Sequence, residues 1–211
     1  MDKTLVQEFK LVAGHIALDF ANTLDYRYEE RRRTDLLTTY DSFLDFAVQT
    51  GTISTAARRA LRNGIPTPLA ADALRKIVEV REALYHLFLS VVSGKPPKAS
   101  WLRTCNSFLG DFSISETIAW RQSRLVRISR TPTETPLYPL WRIVREGAVL
   151  LTSPDRSHIR ECCDPSCRWL FLDTSKNQSR RWCSMRLCGG RNKARRYYAR
   201  ETGVTQGKDG P

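Results

Sequence analysis

Five cysteines fall within 27 residues, Cys162, Cys163, Cys167, Cys183 and Cys188, and their spacing is the strongest chemical signal in the chain. As thiolates they are soft metal ligands. Two close groups separated by about fifteen residues match structural zinc sites, in which four sulfurs surround one tetrahedral ion. Either Cys162 or Cys163 could supply the outer ligand of the first group, at x4 or x3 spacing from Cys167. Four thiolates leave no open coordination position for a water, so such an ion holds structure and does no catalysis.

The surrounding residues must bring the two groups together. Asp164-Pro165 lets the chain reverse so that the first sulfurs point inward, Trp169 to Asp173 reads as a strand opening a hairpin, and Trp182-Cys183 begins the return to a helix supplying the second group. Roughly 40 residues bury too little apolar surface to fold alone, and metal ligation supplies the missing free energy.

Charge is concentrated in the same place. Residues 160–200 carry 11 Lys/Arg against 3 Asp/Glu, whereas 1–159 carry 22 against 17, out of a total net charge of +12. Such a field favours polyanions. At about 100° per residue, Arg196, Arg200 and Lys193 fall roughly 140–200° from Arg191, with Arg195 near 40° and Tyr197, Ala194 and Tyr198 at roughly 240–340°. The tyrosine side is expected to pack on the cysteine module and the basic side to meet phosphates or groove edges. Arg180, Arg181 and Arg186 extend that surface. With the tyrosines packed, the partner expected is duplex DNA, not unpaired bases.

Residues 1–156 read as predominantly helical. Ile16, Phe20, Thr23 and Leu24 share one helical face. Thr39 caps a helix stopped by Gly51, Ser54 one ending at Asn63-Gly64, and Thr67-Pro68 starts a long one stopped at Gly94. A further helix covers Ala99 to Leu109, with Trp101, Leu102 and Phe108 inward. Ser115 to Arg130 reads as two short strands turning at Arg121-Gln122-Ser123, and Leu137 to Leu151 as a last helix. The fold expected is mainly α with small β-hairpins: a helical domain over 1–156, a treble-clef-like finger over 157–201, and a flexible tail over 202–211. Disordered, collagen and coiled-coil compositions are excluded. No apolar run approaches a membrane span, and the opening residues lack a secretory core, so a reducing cytoplasm is the expected location.

Cys162-x4-Cys167, Trp169-Leu170-Phe171-Leu172-Asp173, Ser175, Arg181-Trp182-Cys183-Ser184-Met185, Cys188-Gly189 and Arg191 with Lys193 closely resemble the CGNR zinc-finger family. Leu18-Asp19-Phe20-Ala21-Asn22-Thr23, Leu36-Leu37-Thr38, Arg81-Glu82-Ala83-Leu84 and Asn106 resemble the ABATE domain that precedes the finger in that family, described as a stress-induced transcription regulator. The resemblance implies Cys162, Cys167, Cys183 and Cys188 as ligands of one Zn²⁺. The nucleic-acid face read from charge and helical spacing has as candidates Arg180, Arg181, Arg186, Arg191, Lys193, Arg195, Arg196 and Arg200, and the regulator description of the family favours DNA as its partner. The tetrad reads Cys188-Gly189-Gly190-Arg191, with Gly190 where the family has Asn, and Cys163 adds a competing thiol.

Asp19 and Asn22, one helical turn apart, either satisfy nearby backbone groups or meet Arg81 and Asn106 in a polar cluster that binds a small effector. His15, His86, His158 and Cys105 show no metal or catalytic spacing, and no nucleophile, phosphate-loop or paired-carboxylate signature is present, so no enzyme is expected. The alternative to DNA binding is a zinc-stabilised protein-interaction or thiol redox-sensing module in which Cys163 exchanges with a ligand.

Overall fold

A computed structural model of the chain describes residues 8–110, 115–121, 124–130 and 135–201. The turn expected at Gln122-Ser123 and the tail expected over 202–211 lie outside the described residues.

Capping residues set the helix limits. In α1 (Ile16–Ala21) the His15 ring accepts from the Ala17 N–H, and the helix ends at Asn22. Leu24 therefore leaves the helical face expected for it and joins a two-residue strand, β1 (Leu24–Asp25), paired antiparallel with β2 (Thr34–Asp35). Helix α2 (Tyr40–Gln49) opens with a reciprocal capping box between Thr39 and Ser42. Ser54 accepts from the Ala57 N–H at the start of α3 (Thr55–Gly64). The long α4 (Thr67–Ser93) has Pro68 in its first turn and stops at Gly94, whose φ of 66° is the left-handed conformation that glycine adopts without strain.

Helix α5 (Ala99–Gly110) buries Cys105 and Phe108 but leaves Leu102 exposed, because the face turned to α4 is the one carrying 101, 105 and 108. β3 (Ser115–Arg121) and β4 (Arg124–Arg130) form the expected antiparallel pair, and α6 (Tyr138–Thr152) follows. No helix among the described residues is long and apolar enough to cross a membrane.

Leu18 and Phe20 from α1, Phe43, Leu44 and Phe46 from α2, Ile77, Val80 and Phe88 from α4, and Leu140, Ile143 and Val144 from α6 form a core shielded from solvent. A Cβ at Gly147 would lie 3.1 Å from Leu84 and 3.2 Å from Ala17, so the missing side chain is what lets α6 approach α1 and α4 this closely.

The core continues into the cysteine module. β5 (Ile159–Glu161) pairs antiparallel with β6 (Leu170–Leu172), and Leu170 and Phe171 are fully buried. The strand read near Trp169 to Asp173 thus closes a hairpin with the segment before Cys162; it does not open one toward Cys183. Asn22 clamps it: its amide Nδ2 donates to the Leu170 carbonyl at 2.8 Å, and its Oδ1 accepts from the Leu170 N–H at 3.0 Å. Leu172 N–H donates to the Ala13 carbonyl at 2.7 Å. Asn22→Ala leaves two buried backbone groups without partners, and is expected to lower unfolding free energy by about 2–4 kcal/mol in urea titration. A loss below 0.5 kcal/mol would show that the clamp contributes little.

Candidate metal centre

The β5–β6 hairpin ends on Cys162, whose N–H donates to the Trp169 carbonyl at 2.8 Å, and the intervening residues form a tight knuckle. Asp164 builds it. Its Oδ1 accepts from the Ser166 N–H at 3.1 Å and hydroxyl at 2.8 Å, while its carbonyl accepts from Cys167 and Arg168. Arg168 takes a φ of 53° there, held by a two-pronged ion pair with Glu161 (3.0 and 3.1 Å) and by the Tyr28 ring.

Asp173 organises the return strand, accepting from Ser175 and from the Arg180 N–H. A π-helical turn over Met185–Gly189, capped by Ser184, then carries Cys188 into α7 (Gly190–Glu201).

These elements bring Cys162, Cys167, Cys183 and Cys188 together, all buried, with their sulfurs within 4.8 Å of one another. Cys167 and Cys183 sulfurs are 3.7 Å apart, and those of Cys183 and Cys188 3.6 Å. A tetrahedron with Zn–S bonds of about 2.3 Å requires about 3.8 Å between sulfurs, so the donor set fits one structural zinc. Cys163 is exposed and outside the cluster, as expected where neighbouring residues of an extended segment point to opposite sides.

Hydrogen bonds from Cys167, Cys183 and Cys188 push the Cys162 thiol down, and contact with Cys162 pushes Cys167 and Cys183 up. A dication provides the charge that lets all four ionise.

The arginines around the centre divide into two groups. Arg191 reaches three partners: Cys188 Sγ at 3.2 Å, the Tyr26 hydroxyl at 3.1 Å, and the fully buried Asp164 carboxylate at 3.3 Å. Arg195 meets Asp164 at 3.3 Å. Burial alone would raise the Asp164 carboxyl, but the Ser166 hydrogen bonds and these two guanidinium groups outweigh it and hold it below the ordinary carboxylate range. Arg180 donates to the Cys183 carbonyl at 2.6 Å and covers the Phe171 ring. Arg181, Arg186, Lys193 and Arg196 are exposed and in no ion pair among the described residues. Arg200 lies in α7, and its side chain is outside the described residues.

Tyr197 and Tyr198 are not buried against the finger, contrary to what their position on the helix predicts: they are 58% and 64% exposed. Arg191 and Arg195 take the inward face instead, because Asp164 and the Cys188 sulfur attract them there. Asp164 and Asp173 enter the sequence reading only as a turn residue and a strand end; their carboxylates' hold on Ser166, Ser175 and Arg180 is not read there, although Asp-x-Ser at each position is a readable side-chain-capped turn. Gly190 sits at φ −61° and ψ −45°, and a Cβ there would make ordinary contact, 3.6 Å from the Met185 carbonyl, so its backbone does not demand glycine.

Residues 158–201 match the CGNR zinc finger family, and residues 14–154 match the ABATE family, described as "Putative stress-induced transcription regulator". The chain belongs to the ABATE family. No curated protein matches it.

Within the ABATE region the four polar residues singled out as effector candidates do not meet in one site. Asn22 is engaged by Leu170, and buried Arg81 forms a two-pronged ion pair with Asp35 at 2.6 and 2.8 Å plus a bond to Glu82. Asp19 accepts from the Ala13 N–H at 2.9 Å, and Asn106 is exposed on α5. A cavity of about 200 Å³ opens onto the metal cluster itself, with Cys167, Cys183 and Cys188 in its lining beside Tyr26 and Arg191.

One zinc per chain is expected by elemental analysis, with affinity that falls on acidification as thiolates take up protons. Asp164→Asn, which releases Arg191 and Arg195, should weaken zinc about 10- to 100-fold in competition with a chromophoric chelator. Equal affinity would show that these pairs do not orient the ligands. Burial pushes the Asp19 carboxyl up to about 6, against the Ala13 and Val12 amides. A folded value above the unfolded one adds stability below about pH 4 that is lost as pH rises through 6. Asp19→Asn should therefore be more stable than wild type by about 1–2 kcal/mol at pH 8 and equal at pH 4, read from thermal melts.

Proposed function

We propose that this chain is a transcription regulator that binds nucleic acid through the zinc finger. The observation that carries the reading is the set of four exposed cations, Arg181, Arg186, Lys193 and Arg196, that form no ion pair among the described residues and stand on a frame fixed by the metal cluster. Cations already held in place lose less entropy on meeting phosphates than cations on a loose tail. Arg180, Arg191 and Arg195 serve the frame, leaving a smaller phosphate-facing set than sequence alone suggests. DNA is the partner that fits a regulator. The centre is read as non-catalytic, since four thiolates fill the shell.

On the same reading the ABATE region senses a small effector and passes its state to the finger through the Asn22–Leu170 clamp, the Ala13–Leu172 bond and the Arg191–Tyr26 bond.

Zinc-loaded protein is expected to bind labelled DNA with steep salt dependence. Replacing Arg181, Lys193 and Arg196 together with Gln should weaken binding across sequences and reduce the slope of log K against log salt by roughly 0.7–0.9 per lost contact. An unchanged slope would remove this face from the interface.

A further inference from the structure

The finger carries an apolar groove that the basic surface encloses. It has a volume of about 400 Å³ and is lined by Trp182, Met185, Gly189, Asn192, Lys193, Arg196 and Tyr197. This is within the range of small-molecule sites, about 300–1,000 Å³. Its walls are largely carbon.

Met185 is 73% exposed and Tyr197 58%, unusual for large apolar groups beside one another. Gly189 helps to shape the floor: a Cβ there would lie 2.8 Å from the Met185 sulfur and 3.3 Å from the Trp182 ring, so its absence lets both side chains settle against the backbone. The rim is cationic. Lys193 and Arg196 stand on the α7 side, and the Arg181 guanidinium lies 5.6 Å from the Trp182 ring centre. Glu201 engages the Tyr197 hydroxyl at the rim.

An apolar groove with aromatic and thioether walls, ringed by cations that form no ion pair among the described residues, is complementary to a flat apolar group carried on an anionic backbone. A regular duplex offers its bases only by their edges, whereas an unpaired nucleotide offers a face to aromatic and thioether side chains and its phosphate to Lys193 and Arg196. The exposure of Tyr197 and Tyr198 removes the packing argument that favoured duplex alone. From this we infer that the Trp182–Met185–Tyr197 groove receives an unpaired base of a single-stranded DNA segment. The inference rests on the nucleic-acid reading above and names the form of the ligand.

The test uses the full zinc-loaded chain with a labelled 15-nucleotide oligo(dT) and a duplex of equal length. Tyr197→Ala and Met185→Ala suit it, because both side chains are exposed and their removal leaves the core intact. Wild type should bind the single strand more tightly, with quenching of tryptophan fluorescence that Trp182→Phe diminishes. Each alanine variant should lose about 5- to 100-fold in single-strand affinity while duplex affinity and zinc content hold.

Equal losses on both forms, or no loss on either while both still bind, would overturn the groove and leave the basic face standing. Absence of binding to both forms at low salt would overturn the nucleic-acid reading itself. A wild-type dimer in sedimentation that Met185→Ala dissolves would assign the groove to a second copy and equally overturn the inference.

Discussion

Mutual repulsion among four sulfurs within 4.8 Å of one another is the constraint on which the finger depends. Without a cation they cannot all ionise, and a dication turns that repulsion into the strongest local attraction in the module. Everything near it follows: a knuckle tight enough for one left-handed arginine, a buried aspartate that closes the turn, and a π-helical turn that delivers the last sulfur into a helix. The apolar contribution of the module is small by itself, and much of it, Leu170 and Phe171, is lodged in the ABATE core.

The eight cations proposed from sequence show how position decides the role of a charge. Arg180 meets a carbonyl and an aromatic face, Arg191 a thiolate, a phenol and a carboxylate, and Arg195 the same carboxylate. These side chains lock the strand, the knuckle and the helix together. Arg181 lies beside the Trp182 ring, and Arg181, Arg186, Lys193 and Arg196 form no ion pair among the described residues, which leaves their charge to solvent. The finger uses one residue type for two purposes, separated by whether an acceptor lies within reach.

Much of this was legible in the residues. Helix limits followed from Thr39, Ser54, Pro68 and Gly94, whose effects are local and need no knowledge of the rest of the chain. The cluster was legible because four ligands must follow a narrow range of spacings. What was not legible depends on distant partners. The α7 helix has a basic side and an aromatic side, but only Asp164, some 27 to 31 positions earlier, decides that Arg191 and Arg195 face inward and the tyrosines outward. Asn22 reads as an ordinary helix cap until Leu170 is placed against it, 148 positions away. The partner of β6 is likewise upstream because the knuckle, not the later loop, is short enough to pair strands.

The Asn22–Leu170 and Ala13–Leu172 contacts tie the first residues of the fold to a strand made only after four fifths of the chain has been synthesised. On the ribosome, α1 through α6 emerge and collapse with one side of α1 still uncovered, and the hairpin that covers it needs the sulfurs that follow. Maturation of the earliest-made part therefore waits on the latest-made part and on the supply of metal at that moment.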